Sequence, residues 1–181
     1  MPDYPLLVFA TNETPLPLAA MRDVLLAESA PANFGVEIAG EATEEQLADP
    51  AWDAAFLRWL EPDVHEVALF DPMVRGADEE AESIVGVHLR RIARLSDVAG
   101  RMIVADYLGR TRTVYGIQIL PALIMEESHD GWEAIEALLR FLASATDGLV
   151  YAEAEGYCDA DGELLLAETD DLNTVSADEL D

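Results

Sequence analysis

The chain switches repeatedly between two hydrophobic periods, one that suits strands and one that suits helices. The unbroken apolar run PLLVFA (5–10), closed by the polar stretch TNET, predicts a buried strand. From about Pro17 the spacing lengthens. Leu18, Met21, Leu25 and Leu26 fall on one face of a helix. NFGVEIAG (33–40) returns to period two through Phe34, Val36 and Ile38 and predicts a second strand.

Thr43 and Gln46 have the spacing of a capping box. Asp49 before Pro50 marks another helix start, which predicts a short helix over 51–60 with Trp52, Phe56 and Trp59 on its core side. VHEVALFD (64–71) predicts a strand, DPMVRG a turn, and residues 78–95 a helix. The first turn of that helix carries Asp78, Glu79, Glu80 and Glu82 and its last Arg90, Arg91 and Arg94, a polarity that complements the helix macrodipole. RMIVADYLG and TVYGIQILPALI are rich in β-branched and aromatic residues. They predict a hairpin of 101–107 with 112–120, although the first segment also suits a continuing helix. HDGWEAIEALLRFLASATDG has the clearest helical stripe, through Trp132, Ile135, Leu138, Leu139 and Leu142, with Gly148 at the expected C-cap. LVYAEA then predicts a strand.

The next stretch, EGYCDADGELLLAE, fits the twelve-residue calcium loop from its third position on. Asp159, Asp161, Gly162, Leu164 and Glu168 fall at positions three, five, six, eight and twelve, but Tyr157 stands at position one, which needs a ligand. The flanks have strand character, and Asp-Ala-Asp-Gly suits a tight turn. The sequence therefore favours a hairpin, Val150–Glu153 against Glu163–Ala167, with Gly162 at or near its turn. From Glu168 onward the chain holds six acids and no base, which predicts a solvated, mobile tail over 169–181. Together these elements predict one α+β domain over 1–168: a mixed or mainly antiparallel sheet of five to seven strands with three or four packed helices. The element order also suits two βα-containing halves, 5–75 and 76–168.

At 181 residues and 51% hydrophobic content the chain can bury a substantial core. It has no apolar run long enough to span a bilayer and no basic region before an apolar segment at its start, so a cytoplasmic location is expected. The single cysteine, Cys158, precludes an internal disulfide, and its neighbour Asp159 disfavours the thiolate.

Charge changes the picture most. The net charge is −27, and the ten cations are all arginine. The charge is also sorted along the chain: −4 over 1–40, −11 over 41–85, +4 over 86–125 and −16 over 126–181. Such a chain is a poor direct partner for nucleic acid or an anionic membrane. A basic protein partner is favoured, because complementary fields steer association. A salt-adapted or GC-rich source explains the same composition without a partner.

The absence of lysine removes phosphate-loop and Schiff-base chemistry. The chain has no glycine-rich dinucleotide motif, no nucleophile elbow, no H-E-x-x-H and no cysteine pair, and no cofactor is expected. His129, with Glu126, Glu127 and Asp130 nearby, is a candidate for a divalent metal or for acid–base work, or else belongs to a capped helix N-terminus. Asp159, Asp161 and Glu168 form a second candidate metal set. Arg90, Arg91, Arg94, Arg101, Arg110 and Arg112 are candidates for holding an anion, for pairing with the chain's own acids, or for self-association into a homo-oligomer.

The leading expectation is a non-enzymatic interaction or inhibitor protein, immunity-like or nucleic-acid-mimicking, that binds a basic partner through acidic surface. A small metal-dependent enzyme or metal-binding protein around His129 is the first alternative. An anion-binding domain built on the arginines is the second.

Overall fold

The computed structural model describes residues 4–61, 63–124 and 130–168. Among these it is α+β, with one open antiparallel sheet of eight strands and six helices. The strands are β1 (Leu6–Ala10), β2 (Ala32–Gly35), β3 (Ala55–Trp59), β4 (His65–Val74), β5 (Thr113–Ile119), β6 (Leu149–Ala152), β7 (Gly156–Cys158) and β8 (Leu164–Ala167). The helices are α1 (Leu18–Ala27), α2 (Glu44–Ala48), α3 (Glu79–Ile92), α4 (Val98–Arg110), α5 (Pro121–Ile124) and α6 (Asp130–Thr146). The sheet order is β2-β3-β4-β5-β1-β6-β7-β8, so the first strand lies between two from the second half of the chain. Val8 of β1 faces Tyr115 of β5 on one side and Val150 of β6 on the other.

Both faces of the sheet are covered near its centre, which is why β1 is an unbroken apolar run. Val8 and Ala10 point into a core shared with α1, α2, α5 and α6, and the alternate residues Leu7 and Phe9 point into a core shared with α3 and α4. The first core is anchored by Phe34 and Phe70, whose rings meet edge to face at 6.1 Å. The second admits polar groups. His88 of α3 is buried and shares a 2.7 Å hydrogen bond with the Tyr157 hydroxyl. Arg91 donates to the Tyr151 hydroxyl and, at 2.7 Å, to Glu168. This network ties α3 to the β6–β8 meander. Burial, then the Arg91 charge, lowers the His88 pKa to about 4, so the imidazole is neutral near pH 7.

The expected five to seven strands and three or four helices are too few, for identifiable reasons. The segment expected as a helix over 51–60 is instead β3, paired to β2 and β4. Ala55, Leu57 and Trp59 face the first core with period two, and Trp52 lies outside the strand. Trp52 and Trp59 both pack against the first core, but Phe56 does not, so the i, i+4, i+7 spacing marks no helical face.

The segment expected as a strand over 101–107 is part of α4. Asp97 accepts from the Gly100 amide at 3.0 Å and starts the helix, and Gly100 lets it press on β8, where a Cβ would lie 2.5 Å from the Leu165 carbonyl oxygen. The expected hairpin of 150–153 with 163–167 is corrected as well. The three-residue strand β7 lies between β6 and β8, and Gly162, with φ +83°, belongs to the β7–β8 turn.

β2 stops at Gly35, leaving Ile38 exposed, while β4 runs on through the expected turn to Val74. The Thr43–Gln46 capping box is present. At the end of α6 the left-handed residue is Asp147 and not Gly148, whose amide closes the helix on the Ala143 carbonyl at 2.7 Å. The tail over 169–181 lies outside the described residues. Among the described residues no helix is long and apolar enough to cross a membrane.

Candidate functional site

A cleft of about 890 Å³ lies where four separated segments converge. They are the loop after β1 (Asn12–Leu16), the approach to β3 (Pro50–Asp53), the stretch from the end of β4 into α3 (71–74 and 77–80), and β5 at Thr113 and Tyr115. Each wall is held by local chemistry. Asn12 accepts from the amide and hydroxyl of Thr14, at 3.2 and 2.6 Å. Asp49 accepts from the Ala51 amide at 2.8 Å, and Pro15, Pro50 and Pro72 fix φ along the walls. Asp78, just before α3, accepts from the Val74 amide at 2.6 Å and closes the β4–α3 turn.

The lining is charged in one sense. Glu13, Asp53, Asp71, Asp78, Glu79 and Glu80 contribute, and among the described residues no arginine or histidine does. Asp71 is positioned through β5: a Cβ at Gly116 would lie 2.6 Å from the Tyr4 ring, so glycine there lets Tyr4 reach across and donate to Asp71 at 2.6 Å. Burial, then that hydrogen bond, raises the Tyr4 pKa and keeps it a donor. Glu80 has one carboxylate oxygen buried without a hydrogen-bond partner among the described residues.

Two aromatic rings complete the wall. Trp52 donates from Nε1 to the Leu16 carbonyl at 2.8 Å, and its ring lies 6.1 Å from that of Tyr115. Carboxylates beside aromatic rings suit a guanidinium or ammonium, which gains both charge pairing and cation–π attraction.

The sequence candidates are dispersed. Glu126, Glu127 and His129 lie outside the described residues, and Asp130 is the exposed first residue of α6. Asp159 is committed to its own turn, accepting at 2.9 Å from the amides of both Asp161 and Glu163. Glu168 is committed to Arg91, Tyr151 and the Ala154 amide. Among the described residues no group of three or more His, Cys, Asp or Glu is placed to hold a metal. Burial, with Glu155 and Asp159 adding, pushes the Cys158 thiol up.

The six arginines separate into two groups. Arg90, Arg91 and Arg94 lie on or just beyond α3, with Arg101 on α4 donating to the Ala93 carbonyl at 3.1 Å. Arg110 and Arg112 lie at the far end of α4 and share a smaller hollow with Arg75. Arg91 pairs with Glu168, and Arg110 with Asp106 and Asp147. Arg90, Arg94 and Arg112 have no side-chain partner among the described residues.

The sequence reading missed the cleft because its acids come from three separate stretches, at Glu13, at Asp53 and over 71–80. The available signal was the acidic run at 78–80 beyond the expected strand and turn. Comparison with family models, with curated proteins and with solved structures finds no match for the chain.

Proposed function

We propose that this protein is a non-enzymatic interaction protein that captures a basic polypeptide segment in the acidic cleft. The observation that carries this is the lining: among the described residues, six carboxylates and no base, around a wall that presents Trp52 and Tyr115. Asp71 and Glu80 are half-buried and attract arginine or lysine more strongly than the four exposed acids around them, and the neighbouring rings add contact area at little entropic cost. The three prolines and the Asn12, Asp49 and Asp78 side chains hold the walls in place before binding, which lowers the ordering cost. The net charge of −27 adds long-range steering towards a basic surface. An inhibitor of a basic protein, of the immunity or nucleic-acid-mimicking kind, works through this chemistry.

The test is calorimetric titration with an oligoarginine peptide, run at low and at high salt, with Trp52 fluorescence as a local reporter. Saturable binding that weakens by roughly tenfold or more as salt rises is expected. Absence of binding at low salt, or an affinity that salt does not change, refutes the proposal.

A further inference from the structure

On the other side of the β4–α3 turn lies a second hollow of about 550 Å³, lined by Thr11, Arg75, Gly76, Glu82, Gly109, Arg110, Thr111 and Arg112. We propose that it is a binding site for a small oxyanion, best matched by inorganic phosphate or a phosphate monoester. Three of the ten arginines in this strongly acidic chain line one notch, and they have unequal commitments. Arg75 is largely engaged, with four of its five N–H donors used. It donates to Glu82 through Nε at 3.2 Å and Nη2 at 3.0 Å, and through Nη1 to the carbonyls of Leu108 and Thr111 at 3.4 and 3.3 Å. It thereby caps the end of α4, whose free carbonyls would otherwise repel an anion.

Arg110 is oriented without being used up. Nε donates to Asp106 at 2.8 Å, Nη1 reaches Asp147 at 3.5 Å, and the guanidinium stacks 5.1 Å from the centre of the Tyr107 ring. No described bond uses Nη2. Arg112 is the uncommitted member. Its backbone is fixed on both sides, the amide donating to Ala10 at 2.7 Å and the carbonyl accepting from the Arg75 amide at 2.9 Å. Its side chain is exposed and has no partner among the described residues.

The mouth is open: a Cβ at Gly76 or Gly109 would meet nothing within 4 Å. An anion entering there meets guanidinium donors from two directions, one from the end of α4 and one from the start of β5. Two groups at an angle serve the oxygens of a tetrahedral phosphate better than the two coplanar oxygens of a carboxylate. Glu82, the carboxylate on the lining, is held by Arg75 at 3.0 Å.

The experiment is an amide chemical-shift titration of the full chain with inorganic phosphate at constant ionic strength, with acetate as the carboxylate arm. Saturable shifts in the millimolar range at Gly76, Gly109, Thr111 and Arg112, weaker with acetate, are expected. Arg112→Gln should weaken phosphate at least fivefold, and Arg94→Gln, which removes an equally exposed arginine elsewhere, should leave it unchanged. The spectrum of each variant reports its own folding. Shifts that do not saturate, equal affinity in wild type and Arg112→Gln, or equal loss in Arg94→Gln would overturn the proposal.

Discussion

The cleft and the notch share one turn and divide its charges. From Val74 to Glu80 the chain gives Val74, Ala77, Asp78, Glu79 and Glu80 to the cleft, and Arg75 and Gly76 to the notch. At the start of β5 the same sorting recurs, with Thr113 lining the cleft and Thr111 and Arg112 the notch. The sorting runs in short blocks, with Arg75–Gly76 and Thr111–Arg112 in the notch and 77–80 in the cleft, so a few positions suffice to build two hollows of opposite character. A net charge of −27 therefore does not describe this surface. It is a sum over regions that differ in sign within a few residues.

Acidification is the strongest perturbation, and it acts first on what holds the layers together. The ordinary histidine pKa of 6.5 falls to about 4 in buried His88. Above pH 6.5 the imidazole is neutral in folded and unfolded chains alike, and its contribution is complete. As pH falls from 6.5 towards 4, the unfolded chain binds the proton and the folded chain does not. Stability should therefore decline across that window by about 3 kcal/mol. Urea unfolding at a series of pH values measures this, and His88→Gln should flatten that part of the profile. The two hollows are accordingly best compared at or above pH 6.5.

The next perturbations separate the hollows. Trp52→Ala removes a half-buried wall of the cleft and should cost about 2–3 kcal/mol, with loss of peptide binding and no change in phosphate binding. Arg75→Gln unties the turn from the end of α4. It should cost about 1 kcal/mol, through the bonds to the Leu108 and Thr111 carbonyls, and should weaken phosphate more than peptide. Gly76→Ala is the mildest. Its φ of +86° disfavours a side chain although the space is open, so roughly 0.5–1 kcal/mol is expected, read from thermal unfolding.

How much of this was legible in the sequence follows from the range of each interaction. The local signals were readable: the apolar run of β1, the stripes of α1 and α6, the Thr43–Gln46 box and the charge polarity of α3. Segments decided by their neighbours were not. β3 is a strand because β2 and β4 flank it, against the local helix signal of Asp49-Pro50. The apolar residues of α4 fall on both its faces, Val104 and Leu108 buried and Met102 exposed, so its pattern carried no clear period. β7 is too short to register as an element.

The candidate sites follow the same rule. Arginines adjacent in sequence made one patch on paper and two in space. Arg75, the residue that joins Arg110 and Arg112, is more than thirty residues from either. Beyond the acidic run at 78–80 the cleft left no trace in the sequence, since its acids are neighbours only once β4, β5 and the loop after β1 are in place.

The most direct measurement compares two variants of equal net charge. One carries Glu13→Gln, Asp53→Asn and Glu79→Gln in the cleft. The other carries Glu133→Gln, Glu153→Gln and Asp161→Asn, three exposed acids outside it. Oligoarginine affinity, measured by calorimetry at low salt and above pH 6.5, should fall roughly tenfold or more in the first and change by less than about twofold in the second. Equal losses in both variants would mean that charge spread over the whole surface attracts the peptide, and would contradict binding in the cleft.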